Sequence, residues 1–188
     1  MYSKQCLVKM SKKILLNSKE IQLILHRLSC QLIENHQNFE NTVLIGMQPR
    51  GIYLAKRLVQ ILQDDYHIKD VNLGVMDITF YRDDFRRREE PIEASKTTID
   101  FLVENKKVVF IDDVLYSGRS IRAALTAIQS FGRPAEIELL VLIDRRFSRH
   151  LPIQPDYRGR QVDVINEEKV AVHWEENEGT DAVYIINN

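Results

Sequence analysis

The chain has 188 residues, 44% of them hydrophobic and 28% charged, which fits one ordinary globular domain, or at most one domain with a small annex, that buries a real core. Lys and Arg number 26 against 27 Asp and Glu, so the formal net charge of −1 removes any whole-molecule attraction to nucleic acid or membrane, and charge-driven recognition has to come from local clusters. The lone cysteines Cys6 and Cys30 argue against a disulfide framework or a cysteine zinc site and point to a reducing cytoplasm; no signal-peptide core and no apolar run near membrane-spanning length is present.

Asn17 and Glu20 have capping-box spacing, and Ile21, Ile24, Leu25, Leu28, Leu32 and Ile33 recur every three or four residues, predicting a helix over 18–36. An apolar strand, Thr42 to Met47, a turn at Gln48-Pro49-Arg50-Gly51 and a helix, Ile52 to Leu62, follow. Val71 to Phe80 reads as a strand, and 81–105 as a long polar connection of the kind that is functional or disordered. Val108 to Ile111 is a run suited to a strand buried on both faces. A helix from Arg119 to Phe131 closes at Gly132, with Pro134 beyond, and Ile137 to Ile143 is another strand. The order implies βαβ units and a mainly parallel sheet. From Arg145 the pattern turns irregular through Pro152, Pro155, Tyr157 and Gly159. Two short strands, Val170 to Trp174 and Ala182 to Ile186, then make a small cap.

The residues richest in chemistry run from Val108 to Ser120, where an apolar strand reaches Asp112-Asp113 and a short turn enters a helix. Ligands of open α/β sheets sit beyond the carboxyl ends of strands, and the amides of Tyr116 to Ser120 at a helix N-terminus suit a phosphate. Paired carboxylates suit sugar hydroxyls or a divalent cation bridging to further phosphates. Taken alone, the Asp pair also fits a helix cap, with the glycine making a tight turn; the full strand, acid, turn and helix context favours a ribose phosphate. The five histidines, His26, His36, His67, His150 and His173, lack metal-ligand spacing, and no Ser-His-Asp or Cys-His constellation is found.

Val108 to Ser120 resembles the phosphoribosyl diphosphate (PRPP) binding motif of type I phosphoribosyltransferases. More narrowly, Gly51-Ile52-Tyr53-Leu54-Ala55-Lys56-Arg57, Asp77 to Asp84, Asp112 to Tyr116, and Leu151-Pro152-Ile153 with Asp156-Tyr157 are similar in order to PyrR, the bifunctional pyrimidine operon regulators with uracil phosphoribosyltransferase activity. The resemblance implies a type I phosphoribosyltransferase fold: a mainly parallel central sheet flanked by helices, one domain over 1–188 with a core over 14–144 and a hood over 145–188. It implies conversion of uracil and PRPP to UMP and diphosphate in the cytoplasm, with Mg2+ held mostly through PRPP and water beside Asp112 and Asp113. It also implies control of pyrimidine genes through pyr leader mRNA, and a homodimer or larger homo-oligomer. Alternatives are an RNA-binding attenuator with little catalysis and a transferase for another nucleobase.

By the same resemblance, Asp112 and Asp113 hold the ribose hydroxyls, and Val114, Leu115, Tyr116, Ser117, Gly118, Arg119 and Ser120 surround the 5′-phosphate. Pro49, Arg50 and Gly51 belong to the diphosphate loop, with Arg50 and Arg82 as catalytic arginines, and Ile143, Asp144 and Arg145 lie at uracil. The family commonly has Lys-Thr where Gln48-Pro49 stands, and its Gly-His-Arg-Glu is replaced by the longer Arg146-Phe147-Ser148-Arg149-His150. Arg27, Arg146 and Arg149 are candidates for RNA; the first helix keeps Arg27 but has His26 and Cys30 where RNA-binding members have Thr and His. Between 145 and 160 five arginines face one aspartate, a cluster that fits an RNA surface, the diphosphate rim or a dimer contact.

Overall fold

The computed structural model describes residues 12–81, 96–163 and 168–187. The described residues include eight strands: β1 (Lys12–Leu16), β2 (Thr42–Met47), β3 (Asn72–Met76), β4 (Lys107–Leu115), β5 (Glu136–Arg146), β6 (Tyr157–Asp163), β7 (Glu168–His173) and β8 (Ala182–Asn187). The helices are α1 (Ser18–His36), α2 (Gly51–Asp64), α3 (Arg119–Ile128) and the single turn α4 (Glu175–Glu178). Five strands form a wholly parallel sheet in the order β3-β2-β4-β5-β6, and β1-β8-β7 form a separate antiparallel sheet.

The main sheet is covered on both faces, as its near-continuous apolar runs require. On one face α1 and α2 bury Leu25, Leu28, Leu54 and Leu58 against Leu44, Val109, Ile111, Leu140 and Leu142. On the other, α3 and the 99–103 segment pack on Val43, Ile45, Phe110 and Val141. Helix α1 begins where the capping box places it: the Glu20 amide donates to Asn17 Oδ1 at 3.1 Å, and the Asn17 amide to Glu20 Oε2 at 2.8 Å.

Several boundaries differ from expectation. Strand β3 ends at Met76, because the Asp77 carboxylate accepts the Thr79 amide at 2.8 Å and turns the chain into a 3-10 turn over Thr79–Tyr81. Helix α3 stops at Ile128 with Gln129 as its cap, while Gly132 (φ +133°) serves a later bend against Glu104. The stretch expected to be irregular contains β6, which pairs in parallel with β5 from Leu140↔Tyr157 to Arg146↔Asp163. The cap holds a third strand, β1, whose short Lys-rich sequence gave no periodic signal, paired with β8. A division at 145 therefore crosses both sheets: β6 belongs to the main one, and β1 joins the cap.

Under the N-terminal ends of the strands lies a buried polar cluster. His36 hydrogen-bonds the Tyr157 hydroxyl at 3.1 Å and the Thr42 hydroxyl at 3.1 Å, with Glu138 at 3.1 Å and Asn35 donating to Tyr157 at 2.8 Å. Burial pushes the His36 imidazole below its ordinary value, outweighing the opposing attraction of Glu138. A depressed folded-state value leaves stability intact above about pH 6.5 and removes it as pH falls toward the folded-state value. The urea midpoint is therefore expected to drop between about pH 7.5 and 5.5, and His36→Gln to flatten that dependence. Equal slopes for the two proteins would show that other groups set it.

Candidate functional site

The site forms where β4 gives way to α3. Strand β4 keeps its pairing to Leu115, with Asp112↔Val141, Val114↔Ile143 and Leu115↔Asp144, so both acids lie within the strand rather than beyond its end. Strand β5 extends alongside them to Arg146, which is why pairing does not stop at Ile111. Asp112 and every residue from Val114 to Ile121 line a cleft of about 340 Å³. Gly118 (φ +88°) is the N-cap of α3, in the left-handed region that favours glycine, and turns the chain so that the first amides of α3 face the cleft.

Asp112 Oδ1 accepts the Asp113 amide at 2.9 Å. Burial pushes the Asp113 carboxyl above its usual range; the Val114 amide and the positive charge of Arg50 offset this in part. A second anion in this place therefore has to bring its own countercharge. No cluster of three or more acidic, histidine or cysteine side chains suited to a metal occurs among the described residues. Asp112 and Asp113 fit a cation held mainly by ligand oxygens and water, not a protein cage.

Arg50 caps α2 beside the cleft, and Gly51 lies directly on β4. A Cβ at Gly51 would lie 2.9 Å from Asp112 Cα and closer still to the Ile111 carbonyl. The Gln48 amide donates to the Met76 carbonyl at 2.9 Å, and the Gln48–Pro49 bond is cis. The Arg50 guanidinium donates to Glu178 at 2.7 Å and to the Val172 carbonyl, both in the cap, partners 122 and 128 residues away that no local pattern signals.

On the base side the expected residues separate. Ile143 is fully buried in the α1/α2 core, so only its backbone reaches the site. Asp144, 3% exposed, accepts Gln161 Nε2 at 3.1 Å and the Arg149 guanidinium. Arg145, 5% exposed, donates to the Glu168 carbonyl at 3.0 Å and stacks 4.1 Å from the Tyr116 ring centre. Its buried Nε–H has no partner among the described residues, and burial lowers its guanidinium from arginine's ordinary value.

Each of the RNA candidates is held by partners within the chain. Arg27 lies along the open edge of β6, donating to the carbonyls of Arg158 (3.1 Å) and Gly159 (2.6 Å), which satisfies an unpaired strand edge. Arg146 forms a two-bond pair with Asp163 at 2.6 and 2.5 Å. Arg149 is turned inward onto backbone carbonyls near the cleft. A larger hollow of about 620 Å³ lies beside these residues, between the end of β5, the 151–155 loop and β6. Arg82 and the 86–88 arginines lie outside the described residues.

Comparison with known proteins places this geometry. The family model described as phosphoribosyl transferase domain matches residues 11–177. The chain is 41% identical to the bifunctional protein pyrR of Enterococcus faecalis over 94% of this chain and 97% of that one. It is 43% identical to the bifunctional protein PyrR of Gloeothece citriformis over 92% and 96%. Among solved structures, a Trypanosoma cruzi hypoxanthine phosphoribosyltransferase aligns with TM-score 0.70 at 16% identity over 93% of this chain and 96% of that one. A Staphylococcus aureus hypoxanthine phosphoribosyltransferase aligns with TM-score 0.67 at 20% identity over 91% and 90%. These last two establish the shared fold.

The close approach of α2 to β4 gives a direct test. Gly51→Ala is expected to destabilise by about 2 kcal/mol, lowering Tm by about 4 °C or more, because the new methyl meets backbone rather than a side chain that can move. An unchanged Tm in a thermal melt would mean that α2 shifts without cost.

Proposed function

The chain belongs to the PyrR family within the type I phosphoribosyltransferases, and from that membership we propose that it transfers the phosphoribosyl group of PRPP to uracil, releasing UMP and diphosphate. We further propose that nucleotide bound at the same site controls its binding to pyr leader mRNA. One observation carries the reading: the Asp112 carboxylate on β4, a glycine turn and the N-terminus of α3 share a single cleft, with Asp113 adjacent in the same strand, an arrangement suited to a ribose 5-phosphate.

Asp112 and Asp113 take the ribose hydroxyls, whose O–H groups are donors and so match carboxylate acceptors. The loop from Val114 to Ser120 takes the 5′-phosphate through amides and the α3 dipole. Pro49, Arg50 and Gly51 face the diphosphate, and the raised Asp113 carboxyl gains its countercharge when Mg2+ arrives with PRPP. Mg2+, when bound, neutralises charge on the diphosphate.

Transfer proceeds as the bond from ribose C1 to diphosphate breaks, its electron pair leaving with diphosphate, and a ring nitrogen of uracil bonds to C1 as its N–H proton is released to the departing diphosphate or to water. Positive charge builds on the ribose, and the neighbouring carboxylates stabilise it. Arg145 has donors only, and its unpartnered buried Nε–H suits a carbonyl of the base. Exclusion of water from C1 favours transfer over the competing hydrolysis.

Oligomerisation is part of the same reading. Leu125, Phe131 and Ile137 are exposed apolar side chains, and Leu125 and Ile137 border a hollow of about 650 Å³ on the α3 side, a surface suited to a second copy of the chain. Among the described residues no helix is long and apolar enough to cross a membrane.

Purified protein with Mg2+, PRPP and labelled uracil is expected to form UMP, and Asp113→Asn to lower kcat/KM by about 100-fold or more. Turnover of hypoxanthine or guanine without uracil would overturn the base assignment. For regulation, filter binding to the leader transcript of the chain's own pyrimidine genes is expected to strengthen with UMP; binding that ignores UMP would overturn the regulatory reading.

A further inference from the structure

The segment from Arg149 to Ile153 lies beneath the loop that follows β4, and it takes up that loop's carbonyls in sequence. Arg149 Nη1 donates to the Leu115 carbonyl at 3.0 Å, to the Tyr116 carbonyl and to the Arg145 carbonyl at 3.1 Å. Its Nε donates to the Ile153 carbonyl at 3.1 Å, and its Nη2 to Asp144. The His150 amide then donates to the Ser117 carbonyl at 3.0 Å. Gly118 closes the series: a Cβ there would lie 3.3 Å from Ile153 Cδ1 and 3.6 Å from Leu151 Cβ.

This pattern orients amides. A trans peptide unit is planar, with C=O and the following N–H pointing in opposite directions. Holding the carbonyls of Leu115, Tyr116 and Ser117 toward the 149–153 segment turns the amides of Tyr116, Ser117 and Gly118 away from it, toward the cleft. Arginine is suited to the task because its planar fork carries five donors and no acceptor, whereas lysine offers one compact ammonium. The side chain is 20% exposed, so the bonds are partly shielded from water.

We infer that Arg149 is a positioning residue for the phosphate of the nucleotide: it presets the 115–118 loop so that its amides meet a 5′-phosphate without reorganisation. The inference rests on the reading that this loop receives the 5′-phosphate of PRPP and UMP. Arg149 touches neither ligand; it acts through the backbone of Leu115 and Tyr116.

The measurement that isolates this role is the gain in affinity due to phosphate, taken as the ratio of uridine to UMP dissociation constants by calorimetry. Arg149→Met, which keeps the length of the side chain and removes its donors, is expected to cut that ratio by about tenfold while uridine affinity changes less than about threefold. Arg149→Lys is expected to fall between Met and wild type. A general structural role predicts equal losses for both ligands, and that result, or an unchanged ratio, would overturn the inference. Should Arg149→Met fail to fold by circular dichroism, Arg149→Lys decides by the same ratio. Wild-type protein that binds UMP no better than uridine would instead overturn the underlying phosphate reading.

Discussion

The Asp113 carboxyl, half-buried and pushed above its usual range by the protein packed against it, is the constraint from which the arrangement around the cleft follows. A carboxylate with burial against it is costly unless opposite charge stands near, and Arg50 supplies that charge from the N-terminus of α2. Arg50 can stand there only because Gly51 lets α2 approach the backbone of β4 closely. It is held in turn by Glu178 and the Val172 carbonyl of the cap. The cap is thus joined electrostatically to the floor of the site as well as covering apolar residues.

The same connection explains the near-zero net charge. From 163 onward seven acids face one lysine, and three of them, Glu176, Glu178 and Asp181, are tied to Arg50 and Arg57. Arg57 of α2 binds Glu176 at 3.0 and 2.8 Å and Asp181 at 2.6 and 2.8 Å, and lies 4.8 Å from the Trp174 ring centre. Tyr53 adds a bond to Asn177 at 2.8 Å. Glu176, Glu178 and Asp181 are all held below the usual carboxylate range, hydrogen bonds from the arginines and backbone overcoming the opposing effect of burial. Two arginines on one face of α2 therefore dock the turn around α4. A charge balance that looks featureless over the whole sequence is local pairing between distant segments.

How much of this was legible in the sequence depends on the range of the interactions. Helix α1 was readable because its cap and apolar stripe lie within a few residues of each other, and β2 because it is buried on both faces. The acids, glycine and helix start around the cleft are contiguous, so the sequence places them together as one candidate segment. Strands β1 and β6 were not: β1 exists through pairing with β8, far along the chain, and β6 alternates only weakly. Side-chain partners were the least legible. Arg27, Arg146 and Arg149 bond the carbonyls at 158–159, Asp163 and the carbonyls of the 115–116 segment, partners that no local pattern signals.

The extra residue after Arg145 illustrates how a local change can be kept from the site. Phe147 has φ +62°, a left-handed conformation that costs a non-glycine residue energy, and it is 81% exposed, with the Arg146 guanidinium 4.8 Å from its ring centre. Glycine would take such a conformation free of that cost. The longer segment therefore bulges outward at Phe147, and Ser148 turns back to the Arg146 carbonyl at 3.4 Å. Arg149 then enters the floor of the phosphate loop in place, its bonds to Leu115 and Ile153 intact. The exposed turn at Phe147 thus lies outside the bonds that Arg149 makes to the 115–116 carbonyls, and a conformation that carries a cost is placed where it does not touch them.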